Sequence, residues 1–175
     1  MNTADSIKDG IIVEFKRRVE QESIFRIKKC LTLLDEEEVW YQHNPKVNSV
    51  GNLVLHLTGN ARQWIISGVG GLPDTRQRDA EFEQKGHKSK AELQAMLEEL
   101  AHDMNQVLAK ITPEQLLDVR AVQVFEETIL AILIHVIEHF SYHTGQITYL
   151  TKLIKEIDTN YYGDLDLTQK GDKKD

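Results

Sequence analysis

Several features that mark other classes of protein are scarce in this sequence of 175 residues. Its only cysteine is Cys30, so the chain has no internal disulfide, and we expect a reducing, cytoplasmic location. The first ten residues, MNTADSIKDG, contain no basic segment followed by an apolar one, which argues against a signal peptide. The longest uncharged apolar stretch, residues 129–137, falls far short of the roughly 20 residues that a membrane-spanning helix needs. We therefore expect no membrane partner.

Basic charge is also scarce. The chain has 21 lysines and arginines against 28 acidic residues, which gives a net charge of -7. Since binding to duplex nucleic acid depends on clustered basic residues that neutralise phosphates, we expect no nucleic-acid partner. With 41% hydrophobic and 28% charged residues, the composition is that of a soluble globular protein. The length predicts a single domain at residues 1–158, followed by a flexible tail at 159–175.

Apolar residues recur at the spacing of an α-helix in four long segments. We predict helices at about residues 4–35, 49–69, 89–110 and 124–157. The segments between them are predicted as connections, with no strand-rich region. Asn48 or Ser49 can cap the second helix, and Ser89 with Glu92 forms a capping box at the start of the third. The fourth is apolar nearly all round, which predicts a central position or a subunit interface, and we expect a homodimer. The sequence therefore predicts an all-α protein, a four-helix bundle whose polar sites lie between facing helices.

Three of the seven histidines, His135, His139 and His143, occur at intervals of four within HVIEHFSYHTGQI. Residues four apart lie on one face of a helix, about 6 Å from each other, so two neighbouring imidazoles can bind one ion. His135 and His143 lie about 12 Å apart and cannot comfortably share an ion. His139 belongs to either possible pair. The alternative to a metal site is a row of buried core histidines with satisfied hydrogen bonds.

The first pair, within HVIEH, matches the H-x-x-E-H pattern of inverted zinc proteases, in which Glu138 would be the general base. That family also needs a carboxylate ligand from a separate and much later helix. The only glutamate after His139 is Glu156, which lies on the same predicted helix about 25 Å away. We therefore interpret the protease pattern as a chance match.

The wider sequence favours the second pair, His139 and His143. The stretches NSVGNLVLHLTGNARQWI, RQRDAEF and HVIEHFSYHTGQITYL resemble, in order and spacing, the DinB superfamily, and within it a branch of small bacterial proteins. The most specific part is a histidine in the second helix followed by H-x-x-x-H-x-G-Q in the fourth. This resemblance covers nearly the whole chain and implies a four-helix bundle of the DinB/YfiT-like type. It also implies a divalent metal ion, zinc, nickel or iron, held by His56, His139 and His143.

Four more residues are candidates for supporting the ligands or contacting a substrate: Asn60, His135, Gln146 and Arg78. For each of them a plain structural role is the alternative. The RQRDAEF segment is predicted either to line the mouth of the site or to form a salt-bridged loop that packs Phe82 on the bundle.

Three protein ligands with an open position is the catalytic arrangement of zinc. Some members of the superfamily resemble transferases that use a low-molecular-weight thiol, so our leading hypothesis is metal-dependent transfer of a small-molecule thiol to an electrophile. A metal-dependent hydrolase would use the same open position to activate water. A non-catalytic dimeric module that binds a metal or another ligand is the hypothesis from a different class.

Overall fold

The computed structural model describes residues 2–83, 86, 88–163 and 165–170. Within them, four long helices confirm the predicted all-α class. The first runs through Thr3–Lys16, Arg17–Ile24 and Phe25–Leu33, the second through Val50–Ala61 and Arg62–Val69, the third is Lys90–Leu108, and the fourth is Ile129–Lys155. Short helices lie between them at Glu36–Val39, Arg78–Glu83 and Glu114–Leu117. The predicted connection at 71–88 thus contains a helical turn, Arg78–Glu83, that bears on the site below.

Helix ends follow the sequence signals closely. Of the two predicted caps of the second helix, Ser49 is the one used, and its side chain accepts a hydrogen bond from the backbone N–H of Asn52. At the third helix, the Ser89 side chain accepts from the N–H of Glu92, whose carboxylate accepts from the N–H of Ser89. This is the predicted capping box, and it satisfies donors that would otherwise be unpaired at the helix start.

Two of the long helices widen into π-helical turns. These turns are Arg17–Ile24 in the first helix and Arg62–Val69 in the second. Wide turns of this kind occur often beside functional sites, because they change the direction in which side chains project. The second one begins six residues after His56 and carries Trp64, so it sets the position of that ring beside the fourth helix.

The predicted start of the fourth helix at residue 124 is wrong, because a β-hairpin occupies this region. Strands Val119–Val122 and Phe125–Thr128 pair antiparallel, with Val119 opposite Thr128 and Val122 opposite Phe125. These β-branched and aromatic residues suit a pleated strand. The side chain of Thr128 then caps the helix by accepting from the N–H of Ala131. Helical spacing of apolar residues alone could not separate a short hairpin from one more helical turn.

The hairpin folds against the second helix. Val122 packs so closely on Gly68 that a Cβ at this glycine would collide with it. Phe125 brings its ring to 6.1 Å from the ring of Trp64, centre to centre. The hairpin therefore helps to hold Trp64 against the bundle.

Buried apolar residues from all four long helices form the core. Its largest fully buried side chains include Phe15, Ile27, Leu31, Leu57, Ile65, Leu93, Leu97, Leu100, Met104 and Phe140. Among the described residues no helix is long and apolar enough to cross a membrane. Thr159 is buried and Tyr161 packs on the core, so the packed part of the chain reaches past residue 158. A flexible tail over the rest of 159–175 stays a prediction, and 164 and 171–175 lie outside the described residues.

Candidate metal centre

His56 on the second helix meets His139 and His143 on the fourth. One ring nitrogen from each lies within 4.8 Å of the others. The Nε2 atoms of His56 and His139 are 3.0 Å apart, and the ring centres of His139 and His143 are 4.5 Å apart. His56 is 7% exposed and His143 9% exposed. Two helices that are far apart in sequence thus place three imidazoles around one point.

Glu81 fixes the tautomer of His56. Its Oε2 lies 3.0 Å from the Nδ1 of His56. A carboxylate carries no proton, so Nδ1 must hold the proton and donate it, which leaves the lone pair of His56 on Nε2. Arg76 Nη2 also lies 3.2 Å from this Nδ1, but it donates to the same Oε2 at 2.9 Å, and two donors cannot bond each other. The Nε2 lone pair points at the other two histidines.

Glu81 is itself clamped by Arg76. The guanidinium donates from Nε to Oε1 at 2.7 Å and from Nη2 to Oε2 at 2.9 Å, and only 4% of the Arg76 side chain is exposed. Burial alone would raise the pKa of the Glu81 carboxyl, but the hydrogen bonds from Arg76 and His56 outweigh it and lower the pKa. Gly59 provides the space that this carboxylate occupies, because a Cβ at residue 59 would collide with Oε1 of Glu81. The carboxylate is therefore held charged and in one orientation.

Gln146 fixes the tautomer of His143, as Glu81 fixes that of His56. The Nδ1 of His143 donates to Oε1 of Gln146 at 2.7 Å. The remaining lone pair is then on Nε2, the nitrogen nearer the end of the ring. Hydrogen bonds of this kind to the second nitrogen select the tautomer and orient the ring of a metal-binding histidine.

His139 and His143 are neutral at physiological pH. Burial, reinforced by the neighbouring histidines, lowers the pKa of His139 to about 3. Burial also lowers the pKa of His143, although its bond to Gln146 acts in the opposite direction. Neutral imidazoles have a lone pair to give, and they do not repel a cation.

This donor set suits a divalent transition metal. With bonds of about 2.1 Å to a tetrahedral zinc ion, ligand nitrogens lie about 3.4 Å apart. That value falls between the 3.0 Å separation of two Nε2 atoms and the 4.8 Å limit of the group. Small side-chain rotations therefore suffice for binding. Three imidazoles are common to sites for zinc, nickel and iron, so the donor set alone does not select among them.

The structure places the remaining predicted residues at different distances from this centre. His135 is outside this group of three histidines, and its ring stacks on Trp64 with centres 3.9 Å apart. Asn60, one turn beyond His56, is buried. Arg78 is exposed and lies over the ring of Phe82, 5.3 Å from its centre, while that ring contacts His56. Arg78 is thus separated from the histidines by Phe82.

The sequence did not predict that Arg76 and Glu81 contact His56. The salt bridge foreseen within RQRDAEF exists, and Phe82 does pack on the bundle, but the same salt bridge also contacts His56. The signal available was a glutamate separated by 25 residues from a predicted histidine ligand, and nothing in helical spacing connects the two.

Comparison with known proteins agrees with this architecture. The profile of a family described as a protein of unknown function, DUF1572, matches residues 12–163. A DinB-like protein from Bacillus cereus has a similar structure, with a TM-score of 0.62 and 18% identity over 77% of this chain and 87% of that one. A DinB-like protein from Bacillus subtilis gives a TM-score of 0.62 and 15% identity over 85% of this chain and 94% of that one. None of the curated proteins matches. The DinB-like fold predicted from sequence is confirmed.

Proposed function

The chain belongs to the DUF1572 family, and we propose that it is a metal-dependent thiol transferase of the cytosol, with His56, His139 and His143 as the ligands of a divalent ion. The observation that carries this proposal is the set of three imidazoles converging on one point, two of them oriented by hydrogen bonds at Nδ1. Three protein ligands leave an open position, as catalytic sites do.

A bound divalent ion would lower the pKa of a thiol at the open position, so that the thiolate is present at neutral pH. In the transfer, a carbon–sulfur bond forms to the electrophile, the leaving group departs with its electron pair, and the thiol proton passes to solvent. The chain contributes ligands and their orientation. It needs no general base of its own for this reaction, because the thiolate is already the nucleophile.

A hydrolase is less well supported, because activating water usually requires a base close to the ion. Glu138 is exposed and lines a groove of about 840 Å³ between the first and fourth helices. Glu81 is the carboxylate nearest the histidines in the described structure, and Arg76 and His56 already occupy both of its oxygens. Neither group is free to take a proton from water beside the histidines.

The non-catalytic alternative rests on a different surface. The fourth helix exposes a row of large apolar and aromatic side chains: Ile134, Tyr142, Tyr149 and Leu153. Exposed rows of this kind are typical of interfaces, and a homodimer formed through this helix is part of our proposal. Light scattering on the wild type and on Tyr149→Glu tests it. A wild type that is monomeric at micromolar concentration refutes the dimer.

Metal analysis tests the site directly. Protein purified without a histidine tag should carry one divalent ion per chain, and His139→Ala should lose it. His102→Ala is the matched control, because His102 is exposed on the third helix and should leave the metal content unchanged. Stoichiometric metal in His139→Ala would contradict the ligand assignment. A screen of thiols with electrophiles then separates enzyme from module, since no turnover with zinc, nickel or iron would favour the module.

A further inference from the structure

The outer face of the fourth helix carries a glycine that the chain itself does not require. Gly145 lies inside Ile129–Lys155 and is exposed, and a Cβ added to it would meet no neighbouring atom of the described residues within 4 Å. Alanine stabilises a helix more than glycine does, and it would fit here. The chain therefore loses stability at this position, which indicates that a neighbour outside the chain approaches it closely.

Opposite charges lie at equal distances on either side of Gly145. Glu138 precedes it by seven residues and Lys152 follows it by seven, so each lies about 10.5 Å along the helix and within about 20° of Gly145 around it. Both side chains are exposed. Glu138 makes no ion pair with any described residue, and Lys152 makes an exposed one to Asp158 at 3.6 Å. The face is therefore complementary in charge to a copy of itself that runs in the opposite direction.

Two exposed tyrosines share this symmetry. Tyr142 precedes Gly145 by three residues and Tyr149 follows it by four, and they are 64% and 68% exposed. Both lie on the same flank of the helix, about 60° and 40° around it from Gly145. A two-fold axis that crosses the helix at Gly145 keeps each flank on its own side. Tyr142 of one copy then meets Tyr149 of the other, and aromatic pairs of this kind are favourable.

A groove beside this face has room for the side chains of a partner. It has a volume of about 840 Å³ and lies between the π-helical turn Arg17–Ile24 and the fourth helix. The fourth helix lines it with Gly145 and with the residues placed symmetrically around it: Glu138, Tyr142, Tyr149 and Lys152. On the opposite wall, Arg18 is paired with Glu14 at 3.7 Å and with Glu22 at 3.3 Å. Its charge is thus neutralised within the first helix.

We propose that a second copy of the chain packs its fourth helix antiparallel across this face, on the two-fold axis just described. Glu138 of each chain then pairs with the partner's Lys152, and Tyr142 packs on the partner's Tyr149. The inference rests on the homodimer within the proposed function and adds its surface, direction and register. The ring of Tyr142 also contacts that of His143, with centres 4.9 Å apart, so the partner's Tyr149 packs on a residue that borders the candidate metal centre.

Charge reversal tests the pairing, with the dissociation constant of the dimer measured by analytical ultracentrifugation. Glu138→Lys and Lys152→Glu should each weaken the dimer about 30-fold, because each replaces two attractive pairs by two repulsive ones. The variant that carries both changes restores the pairs with exchanged charges, so its dissociation constant should lie within about threefold of the wild-type value, which also shows that the changes leave the fold intact. Glu99→Lys, at an exposed position of the third helix, is the matched control and should leave the dimer unchanged.

A disulfide tests the direction. In Tyr142→Cys/Tyr149→Cys the two new thiols lie about 10.5 Å apart along one chain, which is too far for a bond within it. In the antiparallel dimer each thiol faces the other one of the partner, so mild oxidation should give a covalent dimer. Tyr142→Cys alone should not cross-link, because its two copies lie at least about 9 Å apart. The native thiol, Cys30, is buried and should not react.

The outcomes separate this packing from the rest of the proposed function. A wild type that is monomeric at micromolar concentration refutes both the homodimer and the packing, and leaves the groove to another occupant. If the wild type is dimeric but the charge reversals leave its dissociation constant unchanged, the homodimer stands and the packing is refuted. Cross-linking of Tyr142→Cys alone would indicate a parallel pair and would also refute it. The metal content of His139→Ala tests the metal centre independently of these results.

Discussion

Replacing Glu81 with glutamine directly perturbs the hydrogen bond that orients His56. Glu81→Gln keeps the size of the side chain but removes the charge that faces the Nδ1–H of His56 at 3.0 Å. It also puts an amide N–H where a carboxylate oxygen now accepts from Arg76 or His56. His56 then becomes a weaker electron donor and is held less firmly.

The expected size follows from the place of Glu81 behind His56, a proposed ligand. Changes to such supporting groups weaken metal binding by about 10–100-fold, which is about 1.4–2.8 kcal/mol. Glu81→Ala is a poorer experiment, because it leaves the buried guanidinium of Arg76 unpaired. The unpaired charge would lower the free energy of unfolding by about 3–5 kcal/mol and would obscure the effect on metal binding.

The affinity for zinc should be measured by competition with a chelator, together with the melting temperature of the metal-free protein. Glu83→Gln is the matched control, since Glu83 lies on the same short helix and is exposed. It should bind zinc as the wild type does. If Glu81→Gln is folded and also binds zinc with wild-type affinity, the carboxylate does not support His56 and the reasoning is wrong.

Three further perturbations follow. Gly59→Ala should weaken zinc binding without touching a ligand, because its Cβ would displace the Glu81 carboxylate; Gly145→Ala, whose Cβ meets nothing, is the control in the same titration. Acid should destabilise the metal-free protein as pH falls below about 6.5, because the unfolded chain then takes up protons that His139, with a folded pKa of about 3, refuses. The free energy of unfolding, measured by denaturant melts at several pH values, should change less with pH in His139→Gln than in the wild type. An unchanged dependence on pH would contradict this. Tyr161→Phe should lower the free energy of unfolding in urea by about 0.5–1.5 kcal/mol, because the lost hydroxyl is hydrogen-bonded to two side chains; no change would mean that this residue belongs to the loose tail.

The four long helices were predictable because each buries a continuous apolar face, and their starts carry capping residues such as Ser49 and Ser89. The hairpin and the π-helical turns were not. Four-residue strands such as Val119–Val122 are too short for a period of two to stand out. A π-helical turn adds a residue without changing composition, so periodicity does not reveal it.

The three histidines were predictable to a different degree. Helical spacing indicated that His139 shares a face with His135 and with His143, and could not choose between the pairs. The resemblance to the DinB superfamily supplied His56 and the choice of His143, and the structure brings these three together. Glu81 comes from a short helix in a polar connection, where only the folded chain shows that its carboxylate meets His56.

The charges around the centre explain why a carboxylate is so close to the histidines without being a ligand. An imidazole that binds a metal ion does so in its neutral form, and Arg76 cancels the charge of Glu81 through two hydrogen bonds. The protein therefore adds no net charge to the site. A divalent ion held there keeps its full charge, which favours an anionic fourth ligand such as a thiolate over a neutral one. Had Glu81 bound the ion directly, part of that charge would be neutralised, and the pKa of an incoming thiol would fall less.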